Sequence, residues 1–146
     1  MYPIGKASTA RIRSYAKGLN KYNVEKQVLI PISPERFGQS PINKEKEGIF
    51  DDTYYLYLSG SPQRKSNVLL RKLNDFYGYI KTLQYLYQHV KKGDIAVVYE
   101  GGVLWHALCA LTIRYKKAKV IMELNELPYG TGKETYSAIL HRKNNA

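Results

Sequence analysis

The sequence predicts an α/β domain built on a three-layer parallel sheet, with helices on both faces. Two observations predict it. Short β-branched and apolar runs alternate with longer segments of helical periodicity, the order that strand-helix-strand crossovers produce. One of those runs, Ile95-Ala96-Val97-Val98-Tyr99, is apolar without alternation, as expected of a central parallel strand covered on both faces.

The first helix is expected from about Thr9 to Asn20, with Ser8 as its cap and Ile12, Tyr15, Ala16 and Leu19 on one face. Residues 27–32 hold the apolar run Val28-Leu29-Ile30, stopped by Pro31 and Pro34, which reads as a strand followed by a loop. A polar stretch to Asp52 follows, carrying Gly38, Pro41, Gly48 and the charged run Lys44-Glu45-Lys46-Glu47, and is expected to be a surface loop. Residues 53–58, rich in tyrosine and leucine, suit a pleated strand that Gly60, Ser61 and Pro62 end.

The longest element is expected from about Asn67 to Val90. There Leu69, Leu73, Phe76, Ile80, Leu83, Tyr87 and Val90 recur at alternating steps of four and three, an amphipathic helix. The same spacing suits a coiled-coil seam, but the following strand favours packing on a sheet. After the strand at 95–99, Gly101-Gly102 turns the chain into Val103 to Tyr115, which is apolar nearly all round and reads as a helix largely buried on the sheet. Val120-Ile121-Met122 forms another strand, and a further helix starts near Glu134. No strand-like run precedes the first helix, because only Met1 and Tyr2 stand before the loop from Pro3 to Ala7. The chain therefore reads as a fold whose first, normally interior strand is missing, clipped at both ends.

At 146 residues and 44% apolar content there is material for one compact domain spanning 1–146. No stretch approaches the roughly 18 to 20 apolar residues of a membrane span, and the amino terminus lacks the apolar core of a signal peptide, so the cytoplasm is the expected location. Cys109, between Leu108 and Ala110, reads as a small buried hydrophobe with no disulfide partner. The balance of 23 Lys and Arg against 12 Asp and Glu, a net charge of +11, favours an anionic partner: nucleic acid, an acidic bilayer or a phosphate-bearing ligand. Lys91-Lys92 and Lys116-Lys117 at predicted helix ends also complement the helix dipole.

In an open parallel sheet the ligand crevice lies beyond the carboxyl ends of the strands. The residues expected there are Gly5, Lys6 and Ser8; Ser33; Gly60 and Ser61; Glu100, Gly101 and Gly102; and Asn125 and Glu126. Glycines let a ligand approach backbone amides, and the start of the first helix, with Lys6 and Arg11, suits a phosphate or carboxylate. Ordinary turn chemistry explains many of these glycines equally well. Glu123 and Glu126 flank Asn125, where paired carboxylates serve as a base, hold sugar hydroxyls, or simply solvate a strand end. Gly5-Lys6-Ala7 is not a dinucleotide fingerprint, and Gly130-Thr131-Gly132-Lys133 lacks the spacing of a phosphate-binding loop. His89, His106 and His141 show no metal-site spacing, and His106 within an apolar helix reads as a satisfied core residue.

The segment from Pro3 to Ile12, closing with Ala16-Lys17-Gly18-Leu19, resembles the start of family-four glycosyltransferases of the GT-B fold. Asp94 to Glu100 and Val120 to Pro128 are similar to that family's later strands and the acidic, proline-ended loop behind them. The resemblance implies a Rossmann-like amino-terminal half of a GT-B enzyme. It implies a retaining transfer of sugar from a nucleotide donor to a glycan or lipid-linked acceptor held by this half. The donor contacts belong to a carboxy-terminal domain, so a nucleotide-sugar is a partner only where that domain is present, and this half alone is expected to be inactive. Carried over, Gly5, Lys6, Arg11, Glu100, Gly101 and Asn125 are the candidate substrate-binding residues and Glu126 the candidate catalytic carboxylate. Lys6 stands where the family commonly has a second glycine. No cofactor and no metal are expected.

Two readings from other classes remain: a basic module that stacks nucleic-acid bases on some of the 14 tyrosines, and a standalone binding protein derived from the acceptor half. Nucleic acid is the less expected partner, since no helix-turn-helix, RNA-recognition or zinc signature is present. An anionic inner-membrane surface fits both the charge and a lipid-linked acceptor. Binding to vesicles rich in acidic lipid is expected to weaken steeply as salt is raised, measured by co-sedimentation; salt-independent binding contradicts an electrostatic origin.

Overall fold

The computed structural model describes residues 2–4, 7–35, 42–99 and 101–123. They fall into two compact units, divided between His89 and Val90. Each is a mixed α/β assembly holding its own small sheet.

In the first unit, α1 (Ala7–Leu19) is followed by a single 3-10 turn, then β1 (Gln27–Ile30), β2 (Glu47–Phe50), β3 (Thr53–Tyr57) and α2 (Val68–His89). The sheet order is β1-β3-β2, with β1 and β3 parallel from Gln27↔Tyr54 to Ile30↔Tyr57. Because the side-chain period of a strand is two, this register puts Val28, Ile30, Tyr55 and Tyr57 on one face. That face is the core: Tyr2, Ile30, Tyr55 and Tyr57 are buried together, with Ile12 of α1, Val28 and Phe50 packed against them. The tyrosine rings meet at tilted and edge-to-face angles, with Tyr55 and Tyr57 centroids 6.2 Å apart, as ring quadrupoles prefer. The buried Tyr57 hydroxyl donates to the Tyr2 carbonyl at 2.5 Å, so the polar tip of the ring is satisfied.

The polar stretch before residue 53 is not all loop: β2 pairs antiparallel with β3 through a two-residue turn at Asp51-Asp52, flanked by the pair Phe50↔Thr53. Both aspartates are left-handed, φ 48° and 55°, as a tight hairpin turn that follows the strand twist requires. Aspartate tolerates that conformation better than most residues, so a hairpin formed without the Asn-Gly or Asp-Gly pair that normally signals one. The Asp51 carboxylate accepts from Arg13 at 3.1 Å, tying the turn to α1.

Asn67 caps α2, its Oδ1 accepting from the Leu69 amide at 2.8 Å. The helix then departs from the expected face. Gly78, Thr82 and Leu86 are its buried residues, and α2 lies against β1, while Leu69, Leu73, Phe76 and Ile80 of the heptad-spaced stripe are exposed. The reason is a close approach: a Cβ on Gly78 would stand 1.8 Å from the Pro31 carbonyl oxygen. Periodicity located the helix, but the smallest residue set which side meets the strand.

In the second unit, β4 (Ile95–Tyr99) and β5 (Lys119–Glu123) pair in parallel, joined by α3 (Val103–Tyr115). The helix buries His106, Cys109 and Ile113 and exposes Val103, Leu104 and Leu111, so it has one packed face instead of being covered all round. Likewise β4 buries Val98 but exposes Ile95 and Val97, so the strand expected to be covered on both faces is covered on one. α3 ends at the left-handed Lys117, where the Ala118 amide reaches the Ile113 carbonyl at 3.2 Å and closes the last turn. Among the described residues no helix is long and apolar enough to cross a membrane. The helix expected from Glu134 lies outside the described residues.

The α2 geometry separates two substitutions by urea denaturation. Gly78→Ala is expected to cost on the order of 2 kcal/mol or more, because backbone must shift to admit the methyl. Leu73→Gln, on the exposed stripe, is expected to change stability by less than about 0.5 kcal/mol.

Candidate functional site

Parallel pairing makes β1 and β3 end level, so the segments that follow them, 31–35 and 58–64, leave the sheet side by side. The ladder continues through Leu58, whose amide donates to the Ile30 carbonyl at 2.9 Å. Farther on, the Glu35 amide donates to the Pro62 carbonyl and the Arg64 amide to the Glu35 carbonyl, both at 2.9 Å. Between these contacts the chain turns at Gly60, φ +86°, a conformation that favours glycine.

The enclosed side chains are polar and buried. Ser33 Oγ lies 2.6 Å from the Ser61 carbonyl and 3.0 Å from Ser59 Oγ, and accepts from Asn74 Nδ2 of α2 at 3.2 Å. Ser59 Oγ donates to the same Ser61 carbonyl at 3.2 Å. Arg64 donates from Nε to the Ser33 carbonyl at 3.0 Å, which fixes the plane of its guanidinium across the end of the sheet. On the opposite side Asn43 donates to Glu35 Oε1 at 2.8 Å and exchanges hydrogen bonds with the backbone of Ile4, 3.2 Å to its Oδ1 and 3.1 Å from its Nδ2. Ile4 is thereby held at the same edge as the two strand ends. Beneath it, burial holds the Tyr57 phenol well above its ordinary range, so this ring stays neutral and acts as a hydrogen-bond donor. In the first turn of α1, Thr9 is buried and its hydroxyl has no partner among the described residues.

Ser33 and Ser59 are buried and bonded to one another, so they brace the edge. The half-buried Ser61, Asn74, Glu35 and Arg64 face outward, a set suited to hydroxyl-rich or oxyanionic groups, with no nucleophile-base pair among the described residues. Of the residues expected at strand ends, Ser33, Gly60 and Ser61 come together here. Arg11 lies exposed on α1. Gly101 follows β4 with φ +130°, and a Cβ there would stand 2.4 Å from Trp105 Cδ1, so local packing already requires a glycine. Gly5, Lys6, Glu100, Asn125 and Glu126 lie outside the described residues. Asn43, Arg64 and Asn74 carried no local signal in the sequence, since each gains its role from a partner 8 to 41 positions away.

In the second unit His106 is buried, as expected, but only half satisfied. Its Nδ1 donates to the Gly102 carbonyl at 3.1 Å, and the buried Nε2 has no hydrogen-bond partner among the described residues. Neighbouring Cys109 is buried, and burial pushes its thiol up to about 12. Among the described residues no group of three His, Cys, Asp or Glu is placed to hold a metal ion.

Three measurements follow from these environments. Cys109 in the native protein is expected to resist a thiol-specific reagent at about pH 8 and to react at least about tenfold faster in denaturing urea. Its raised folded value means that stability is fully present below the unfolded thiol value of about 8.5 and falls as pH rises from there towards 12, visible in alkaline melts. Asn74→Ala, which removes the donor to Ser33, is expected to cost about 1 kcal/mol.

Comparison with protein-family models, with curated proteins and with solved structures finds no match for this chain.

Proposed function

We propose that this chain is the acceptor-binding part of a retaining sugar-nucleotide glycosyltransferase, a Rossmann-like half of a GT-B enzyme that binds a saccharide and transfers none alone. The observation that carries the reading is the polar edge where β1 and β3 end together, Ser33, Ser59, Ser61, Asn74, Glu35 and Arg64. Its half-buried members Ser61, Asn74, Glu35 and Arg64 suit sugar hydroxyls, braced by the buried Ser33 and Ser59, and the carboxyl ends of parallel strands are where α/β folds bind ligands. The resemblance of residues 3–12, 94–100 and 120–128 to family-four glycosyltransferases supports the same reading. A nucleotide-sugar donor, a lipid-linked acceptor and docking on an acidic inner membrane belong to this proposal, with donor contacts supplied by a second domain.

Saturation-transfer NMR on the full chain with a panel of neutral mono- and disaccharides tests it. Saccharide binding weakened by Asn74→Ala at the half-buried rim of the edge, with no turnover of nucleotide-sugars, is the expected result. Absence of saccharide binding, together with salt-dependent retention of single-stranded oligonucleotides, overturns it in favour of a nucleic-acid module.

A further inference from the structure

Arg64 lies at the strand ends with only part of its hydrogen-bonding capacity used. Its Nε is spent on the Ser33 carbonyl at 3.0 Å, and its backbone amide on the Glu35 carbonyl at 2.9 Å. The side chain is only half-buried, and among the described residues its two terminal nitrogens have no partner and no acidic side chain lies within ion-pair distance. A guanidinium held by Nε presents its two Nη groups as a rigid fork, the geometry that matches two oxygens of one carboxylate or phosphate. On the same segment, Ser61 accepts from the Gln63 amide at 3.1 Å through Oγ, while its own hydroxyl proton has no acceptor among the described residues. Side-chain ordering is the usual cost of ion binding by arginine. Here the Ser33 contact has already met it.

We infer that Arg64 is an oxyanion anchor, clamping a phosphate or carboxylate of the bound ligand through its Nη groups with the Ser61 hydroxyl as an additional donor. Glu35, across the paired segments, limits how strongly an anion binds, and its own carboxylate is turned to Asn43 at 2.8 Å. The ligand class is therefore an acidic or phosphorylated small molecule rather than a neutral saccharide alone. This inference does not rest on the glycosyltransferase reading: neutral saccharide binding without phosphate binding defeats the anchor and leaves that reading standing, and the converse does the reverse.

The test is a titration of the full chain with inorganic phosphate at constant ionic strength, followed by amide and arginine Nε resonances, with sodium acetate as a parallel arm. Saturable shifts at Arg64 Nε–H and at the Gly60 and Ser61 amides are expected in at least one arm. A response to phosphate alone assigns a phosphorylated ligand, and a response to acetate alone a carboxylate. Arg64→Lys keeps the charge but removes the fork and is expected to weaken binding about tenfold or more. Glu35→Gln is expected to tighten it severalfold. Because Arg64→Lys also loses the Ser33 contact, Ser61→Ala serves as a second variant that leaves the guanidinium in place, with an expected severalfold loss. Unchanged affinity in both variants, or shifts confined to other parts of the chain, overturns the inference.

Discussion

The parallel register of β1 with β3 is the constraint from which the first unit follows. With Ile30 opposite Tyr57, the two strands end together, and the backbone beyond them is still paired at Glu35 and Arg64. Shifting the register by one residue would turn Tyr55 and Tyr57 away from Tyr2 and Ile30, exchanging the core face for the other. The same slip would separate Ser33 from Ser59 and Ser61 and leave buried hydroxyls without partners, at a cost of about 1–3 kcal/mol each. Core and polar edge thus enforce the same alignment, one by burying tyrosine rings and the other by satisfying serine hydroxyls.

The approach of α2 to β1 is the second constraint, and it couples to the first. Gly78 over the Pro31 carbonyl brings the helix close enough for Asn74, one turn earlier, to reach Ser33. A larger residue at 78 would lift the helix and withdraw that amide. The polar edge is therefore built on three elements, each held by a short-range packing requirement, and its rigidity allows Arg64 to present a fixed fork to solvent. The second unit repeats the logic on a smaller scale: Gly101 gives way to Trp105, and His106, Cys109 and Ile113 seat α3 on a two-stranded parallel sheet.

The α/β class and most elements were legible in the chain, whereas the described strands form two small sheets, one of them mixed, in place of the single parallel sheet expected. Helical spacing marked α2 to within a residue at each end, and proline and glycine punctuation marked the ends of β1 and β3. The hairpin at Asp51-Asp52 was not legible, because its turn uses left-handed aspartates in place of the glycine that usually announces one. The buried face of α2 was misread for a related reason. Hydrophobic periodicity identifies the side richest in apolar groups, whereas a helix settles where its backbone can come nearest the strand. Of the candidate site, Ser33, Gly60 and Ser61 were legible as residues following strands. Asn43, Arg64 and Asn74 were not, since nothing near them in the chain distinguishes them from ordinary surface residues.

Local chemistry in the chain was enough to specify the described helices and every described strand but β2, the burial of Cys109 and the small polar character of the strand ends. These depend on periodicity, backbone preference and side-chain polarity within a few residues, and such forces act before the chain has folded. Strand pairing, the contact face of α2 and the convergence on Ser33 of groups from 26 to 41 positions away depend on long-range register and on which backbones can touch. Those are properties of the folded arrangement, because a hydrogen bond between distant segments forms only after the loops between them have closed.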